Sequence, residues 1–301
     1  MFKDNDVICF LGDSITASGL WEAEVYQFLR KKYKINCFTC GVSGSTATKA
    51  LGYMNEECLI YNPDYVVLMF GINDLSRGLY SKEWAHLEDL EQKRQNAIDK
   101  HKQSYENIIK ACKEAGSEVI ICLTTPHDEV TVREAENIPY QVVLDKCAEF
   151  HLEMAEKYNC KVVNFKDNML PMLGTREIIR FDRVHPTPEG YHVMAQIFLK
   201  ELGFIDKCDF DTPFEFEDWN KERYDAEQKN HGLDYVELSC LYNEGYAQNK
   251  SVDEIKELAK EKLKEYEDKT TFVPKSLAEY IESGHLRFKN KGETVKLTKY
   301  Q

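Results

Sequence analysis

The residue types able to do acyl-transfer chemistry fall in four short islands: Gly12-Asp13-Ser14-Ile15, Gly41-Val42-Ser43-Gly44, Gly71-Ile72-Asn73-Asp74 and Asp182-Arg183-Val184-His185-Pro186. Ser14 is a candidate nucleophile. His185 is a candidate base for its proton, and Asp182, three residues earlier, is placed to hold the imidazole tautomer that leaves Nε2 facing the serine. An ester-cleaving centre also needs donors for the oxyanion of the tetrahedral intermediate. The Ser14 N–H, the Gly44 N–H and the Asn73 amide are of the right type; glycine at 44 lets backbone come close to a substrate. Each island alone has a bland reading: a helix cap at Asp13-Ser14, a surface Asp–His pair, an ordinary turn at Gly44 and an Asx-turn at Asn73.

Position strengthens them. The first two-thirds of the chain alternates strand-like and helix-like segments. Strands are expected at 7–11, 35–40, 65–70, 119–123 and 161–163, each a short apolar run of the kind buried on both faces of a sheet. Helices are expected at about 21–32, 94–115, 138–157 and 187–202. Such alternation predicts a parallel sheet with helices on both faces and right-handed crossovers. Functional residues then belong at the carboxyl ends of the strands, and Ser14, Gly44 and Asn73 follow the first three strands directly.

At this point the chain resembles the SGNH hydrolases, the GDSL esterase/lipase family. The family's first block matches Gly12-Asp13-Ser14-Ile15-Thr16, its second-block glycine falls on Gly44, its Gly-x-Asn-Asp block on Gly71 to Asp74, and its Asp-x-x-His block on Asp182 and His185. The resemblance spans roughly residues 5–203. It implies an α/β fold, a three-layer α/β/α sandwich on a five-stranded flavodoxin-like parallel sheet. It also implies carboxylic ester hydrolysis with Ser14, Asp182 and His185 catalytic, Ser14, Gly44 and Asn73 forming the oxyanion hole, and no metal or other cofactor. The leading substrate class is a short-acyl or carbohydrate O-acetyl ester; lysophospholipase and thioesterase activities are alternatives within the family. A non-catalytic carbohydrate-binding protein on the same scaffold is an alternative of a different kind. Phosphate binding at 41–46 ranks last, because the lysine of a P-loop is missing. Ser43 is a poor rival nucleophile, since Gly41-Val42-Ser43-Gly44-Ser45 lacks the last glycine of G-x-S-x-G.

The chain's 301 residues are 43% hydrophobic, with 30% charged residues and a formal net charge of -13. A field of that sign repels phosphate backbones and acidic membrane surfaces, so neither nucleic acid nor membrane is an expected partner; a small-molecule ester is. The start of the chain does not read as a signal peptide, and the expected location is cytoplasmic unless a leader has been removed. The ten cysteines lie mostly inside apolar patterns and read as reduced, buried residues. Cys37-Phe38-Thr39-Cys40 has the spacing of a C-x-x-C pair, but no second pair or nearby histidine cluster completes a zinc site in the sequence.

Two domains are expected: a catalytic domain over 1–205, and an acidic, aromatic-bearing extension over 206–301. Residues 206–249 carry 12 acidic and 4 basic residues. Ser251 with Glu254 has the form of a capping box for a helix ending near Tyr266. A hairpin is expected from 285–288, through a turn at Asn290-Lys291-Gly292, to 294–298. The extension has three readings: it covers the sandwich, forms a homo-oligomer contact, or shapes the pocket. Two further expectations concern substrate: the segment 75–96, with Arg77, Tyr80 and Trp84, as a pocket wall, and Trp21, Tyr80 and Trp84 as aromatics for stacking on a sugar.

Overall fold

The structure is a computed structural model. It describes residues 1–132, 137–212, 250–251, 254, 257–258 and 260–261, and the backbone of 287–290 and 293–296. The chain divides into two units, one of Met1–Cys58 with Pro63–Phe216 and one of Leu59–Asn62 with Glu217–Gln301.

In the first unit β1 (Val7–Gly12) is followed by α1 (Ser14–Ala17), α2 (Leu20–Leu29) and β2 (Asn36–Thr39). Two short helices, α3 (Ala47–Ala50) and α4 (Met54–Glu57), precede β3 (Tyr65–Met69). Then come α5 (Leu90–Glu114), β4 (Glu118–Leu123), α6 (Gln141–Tyr158), β5 (Lys161–Asn164), α7 (Phe165–Met169) and α8 (Pro188–Glu201). All five expected strands form, and they make one parallel sheet in the order β2-β1-β3-β4-β5. The four longer helices form as well; α5 starts at Leu90, earlier than the pattern placed it.

The apolar runs have the burial that the parallel sheet demands. Every residue of β1 is buried, as are Val66 to Met69 and Val119 to Leu123. α2 packs on α8 and α5 packs on α6. Right-handed crossovers put these two pairs on opposite faces of the sheet. Side chains alternate accordingly: Phe10 turns to Trp21 of α2, ring centroids 5.1 Å apart and edge to face, and Trp21 also meets Phe165 of α7 and Phe198 of α8. A buried tryptophan of this kind contributes about 3–5 kcal/mol relative to alanine.

The segment 75–96 is not one open loop. It forms two 3-10 turns, Arg77–Tyr80 and Lys82–Trp84, before α5. Arg94 of α5 holds it, donating to the Leu79 carbonyl and lying 4.4 Å over the Tyr80 ring.

In the second unit, the Glu254 carboxylate accepts from the Ser251 N–H at 2.7 Å and Ser251 Oγ accepts from the Glu254 N–H at 3.3 Å. That is a capping box. The expected end near Tyr266 lies outside the described residues. β6 (Arg287–Asn290) and β7 (Glu293–Lys296) pair antiparallel, with Asn290 opposite Glu293. The turn at 291–292 and the expected strand residues 285–286 and 297–298 lie outside the described residues.

Candidate active site

β1, β2 and β3 end side by side, so the loops after them open on one edge of the sheet. Asp13 caps α1, its carboxylate accepting from the Ile15 N–H at 3.0 Å. The capping role therefore belongs to Asp13 and leaves the Ser14 hydroxyl outside the helix. Burial raises the Asp13 carboxyl to about 7, against the pull of the Ile15 N–H, and the nearby Asp74 adds to the rise.

Ser14 Oγ lies 2.8 Å from His185 Nε2, across 171 residues of chain. His185 Nδ1 lies 2.7 Å from Asp182 Oδ2. The other Asp182 oxygen accepts from the N–H groups of Val184 and His185, both at 2.9 Å. Burial pushes the Asp182 carboxyl up, but these backbone donors and the His185 imidazole outweigh it and hold it below the ordinary aspartate value. A depressed folded value means that this carboxylate stabilises the fold at neutral pH, and that the contribution is lost as pH falls through the acidic range.

The Asp182–His185 turn is fastened from several sides. Ile179 bridges to Pro186, and the Arg180 N–H donates to the His185 carbonyl at 2.7 Å. Arg183 sits in the left-handed region at φ 69°, and its buried guanidinium donates to the carbonyls of Asp128 and Thr131. Arg77 Nη1 donates to the Asp182 carbonyl at 2.9 Å and to His127 Nε2 at 3.2 Å. Burial, and then the Arg77 charge, lower the His127 value, which keeps it neutral and its Nε2 free to accept. Arg77, expected as a pocket wall, thus reaches the acid loop.

Gly44 has φ +69°, and a Cβ built there would meet nothing within 4 Å. Its value is the left-handed backbone, which turns its loop at an open position. Asn73 Nδ2 donates to the Ser45 carbonyl at 3.1 Å. That bond fixes the side chain and uses one of its two amide hydrogens. Asp74 ties the two loops together: Oδ1 accepts from the Ala47 N–H at 2.7 Å and Oδ2 from the Gly71 N–H at 3.1 Å. In the sequence Asp74 stands out only as the last residue of Gly71-Ile72-Asn73-Asp74. Its role was detectable from a carboxylate between two glycine-bearing turns, but its partner at Ala47 lies 27 residues away.

Asp74 also yields a test. In Asp74→Asn the amide sets an N–H against one of the two N–H donors, so one loop shifts. A misplacement of about 1 Å lowers turnover by roughly 100-fold. We expect that loss in kcat with KM changed by less than about threefold, the pattern of transition-state positioning, measured with p-nitrophenyl acetate. An unchanged kcat would remove Asp74 from this role.

Of the aromatics expected to stack on a sugar, Trp21 is ruled out: it is 1% exposed and held in the core by three rings. Tyr80 is taken up by Arg94 and by the Tyr140 ring, tilted against it at 5.6 Å. Trp84 is exposed. Phe181, which no local sequence pattern marks, is 77% exposed and directly precedes Asp182. No described helix is long and apolar enough to cross a membrane.

The chain is similar to several known proteins. A curated acetylxylan esterase of Geobacillus stearothermophilus is 25% identical over 218 residues, covering 65% of this chain and 94% of its own. An acetylxylan esterase of Xylanibacter ruminicola is 25% identical over 203 residues, which span 64% of this chain and 40% of that protein. Among solved structures, an acetylxylan esterase from Geobacillus stearothermophilus superposes with a TM-score of 0.57 at 22% identity, covering 67% of this chain and 96% of that one. A gut microbial diltiazem-metabolizing enzyme gives 0.59 at 23% identity, covering 68% of this chain and 48% of that one. These superpositions bear on the fold, the α/β/α sandwich with its five-stranded parallel sheet. Residues 10–193 match the GDSL-like Lipase/Acylhydrolase family, and the chain belongs to that family of carboxylic ester hydrolases.

Proposed function

We propose that the chain is an O-acetyl esterase acting on acetylated carbohydrate through a Ser14–His185–Asp182 relay. The observation that carries the reaction is the unbroken line of contacts from Ser14 Oγ to His185 Nε2 and from His185 Nδ1 to Asp182, at 2.8 and 2.7 Å. In this reading His185 takes the Ser14 proton as Oγ attacks the acetyl carbonyl. The oxyanion accepts from the N–H groups of Ser14 and Gly44 and from the second amide hydrogen of Asn73. His185 then returns the proton to the departing sugar hydroxyl, leaving an acetyl-serine. A water that gives its proton to His185 releases acetate and restores Ser14. Asp182 stays ionised throughout and stabilises the imidazolium.

Two observations support the acetyl-sugar class. The curated relatives at 25% identity are named acetylxylan esterases. Phe181 presents an exposed ring beside Asp182, a flat apolar surface of the kind on which a pyranose stacks. The test is a hydrolysis screen across acetylated xylooligosaccharides, p-nitrophenyl esters of rising acyl length, lysophospholipids and acyl thioesters. A site shaped for acetyl should discriminate by about tenfold or more against longer acyl chains, since single methylenes in a fitted pocket are worth roughly 10- to 200-fold. A preference for acyl chains of about eight carbons or more would overturn the substrate class, because a pocket fitted to acetyl cannot favour added methylenes.

A further inference from the structure

A second cluster of chemically capable side chains lies between α5 and α6. His101 comes from α5, and Cys147 and His151 come from α6; all three are buried. Cys147 and His151 are four residues apart and so share one side of their helix. His101 Nε2 lies 2.9 Å from His151 Nε2, and Cys147 Sγ lies 3.3 Å from the first nitrogen and 3.5 Å from the second.

Three donor atoms therefore face one point. Around tetrahedral zinc, with nitrogens at about 2.0–2.1 Å and sulfur at about 2.3 Å, ligand atoms stand roughly 3.3–3.6 Å apart. Both sulfur–nitrogen separations fall there, and the nitrogen pair is closer by a few tenths of an ångström. Protons alone serve this arrangement poorly: a hydrogen between the two nitrogens satisfies one edge of the triangle and leaves the sulfur to share. A cation satisfies all three lone pairs at once.

We propose that His101, Cys147 and His151 form a binding site for a zinc ion, with the fourth position taken by water. One thiolate and two imidazoles suit a borderline-soft ion and disfavour calcium or magnesium, which take oxygen ligands. The surroundings add a second, independent feature. His101 Nδ1 lies 3.0 Å from an Asp74 oxygen. A carboxylate on the far nitrogen of a ligating histidine fixes the tautomer that aims Nε2 at the metal. Gly71 closes the site from the β3 side: at φ +138°, a Cβ there would come within 3.0 Å of Cys147 Sγ and 3.7 Å of His151 Cε1. Buried and lidded in this way, the ion acts as a brace between α5 and α6 rather than as a Lewis acid for substrate. The proposal does not rest on the esterase reading, although Asp74 serves both places, holding the Ala47 and Gly71 N–H groups and facing His101.

The other cluster of this kind among the described residues is Cys9, Cys40 and Cys58, and the experiment separates the two. The full chain, stripped with chelator, is titrated with cobalt(II) alone. We expect one equivalent to bind with tetrahedral visible bands and a near-ultraviolet thiolate-to-cobalt band. Cys147→Ser should lose the thiolate band, and His151→Gln should weaken binding by about tenfold or more, at least the effect of losing an outer-shell partner. Cys9→Ser should keep both signals. The proposal is overturned if the wild-type chain takes up no cobalt, or if the thiolate band survives in Cys147→Ser. Should those variants fail to fold, zinc-edge X-ray absorption on the loaded wild-type chain decides. One sulfur and two nitrogens support the site; no sulfur, or three, overturns it.

Discussion

Replacing Ser14 with alanine should lower turnover of p-nitrophenyl acetate by on the order of a million-fold, the scale of losing the nucleophile of a serine relay. What remains is the roughly 1,000- to 10,000-fold advantage over water that bound substrate and oxyanion donors retain by themselves. The fold should be nearly untouched. Ser14 opens the four-residue α1, and its hydroxyl is turned toward His185. Alanine is a better helix former than serine, so the melting temperature should stay close to that of the parent. Steady-state rates, with an acetyl-enzyme burst in the parent as reference, make the check. A variant retaining more than about a tenth of parent activity would remove Ser14 as the nucleophile, since no triad loss is that mild.

The second large effect is expected from Asp182→Asn, and the structure separates its two consequences. One oxygen of Asp182 accepts from the N–H groups of Val184 and His185, and the other meets His185 Nδ1. Asparagine keeps an oxygen for the backbone donors, so the turn survives. Its NH₂ then faces Nδ1 and favours the tautomer whose proton sits on Nε2. That imidazole cannot take the Ser14 proton, and kcat falls by about 10,000-fold while KM changes little. Asp182→Ala would remove the turn's acceptor as well and confuse the two effects. A kcat for Asp182→Asn within about tenfold of the parent would show that Asp182 does not set the tautomer.

The parts of this protein that were legible in its sequence share a physical cause. Val7 to Leu11 and Val66 to Met69 are buried on both faces, and a two-faced burial writes an unbroken apolar run that needs no context to interpret. Ser251 and Glu254 signal each other at a distance of three residues, and the capping box forms as their types require. The contacts that were hidden are the long-range ones. Arg77 meets Asp182 across 105 residues, and His101 meets His151 across 50. No local period encodes such meetings; they follow from strand order and crossover hand. Trp21 misled for the opposite reason. Its ring suits a sugar platform as well as a core, and the choice is made by Phe10, Phe165 and Phe198, which lie far apart in the chain.

The sheet order β2-β1-β3-β4-β5 has a consequence for how this molecule becomes active. In the proposed relay the nucleophile's loop is made within the first few residues after β1, while its base arrives 171 residues later, after β5 has docked on the far edge. Closing that span is the slow, entropically opposed part of folding. A chain emerging from the ribosome, or one stalled with β5 and α8 undocked, holds Ser14 with no proton acceptor beside it. On the proposed relay, hydrolysis of an ester by this chain is a readout of the finished fold: regain of activity in refolding should trail regain of helix signal, and no half-built form should carry a reactive serine.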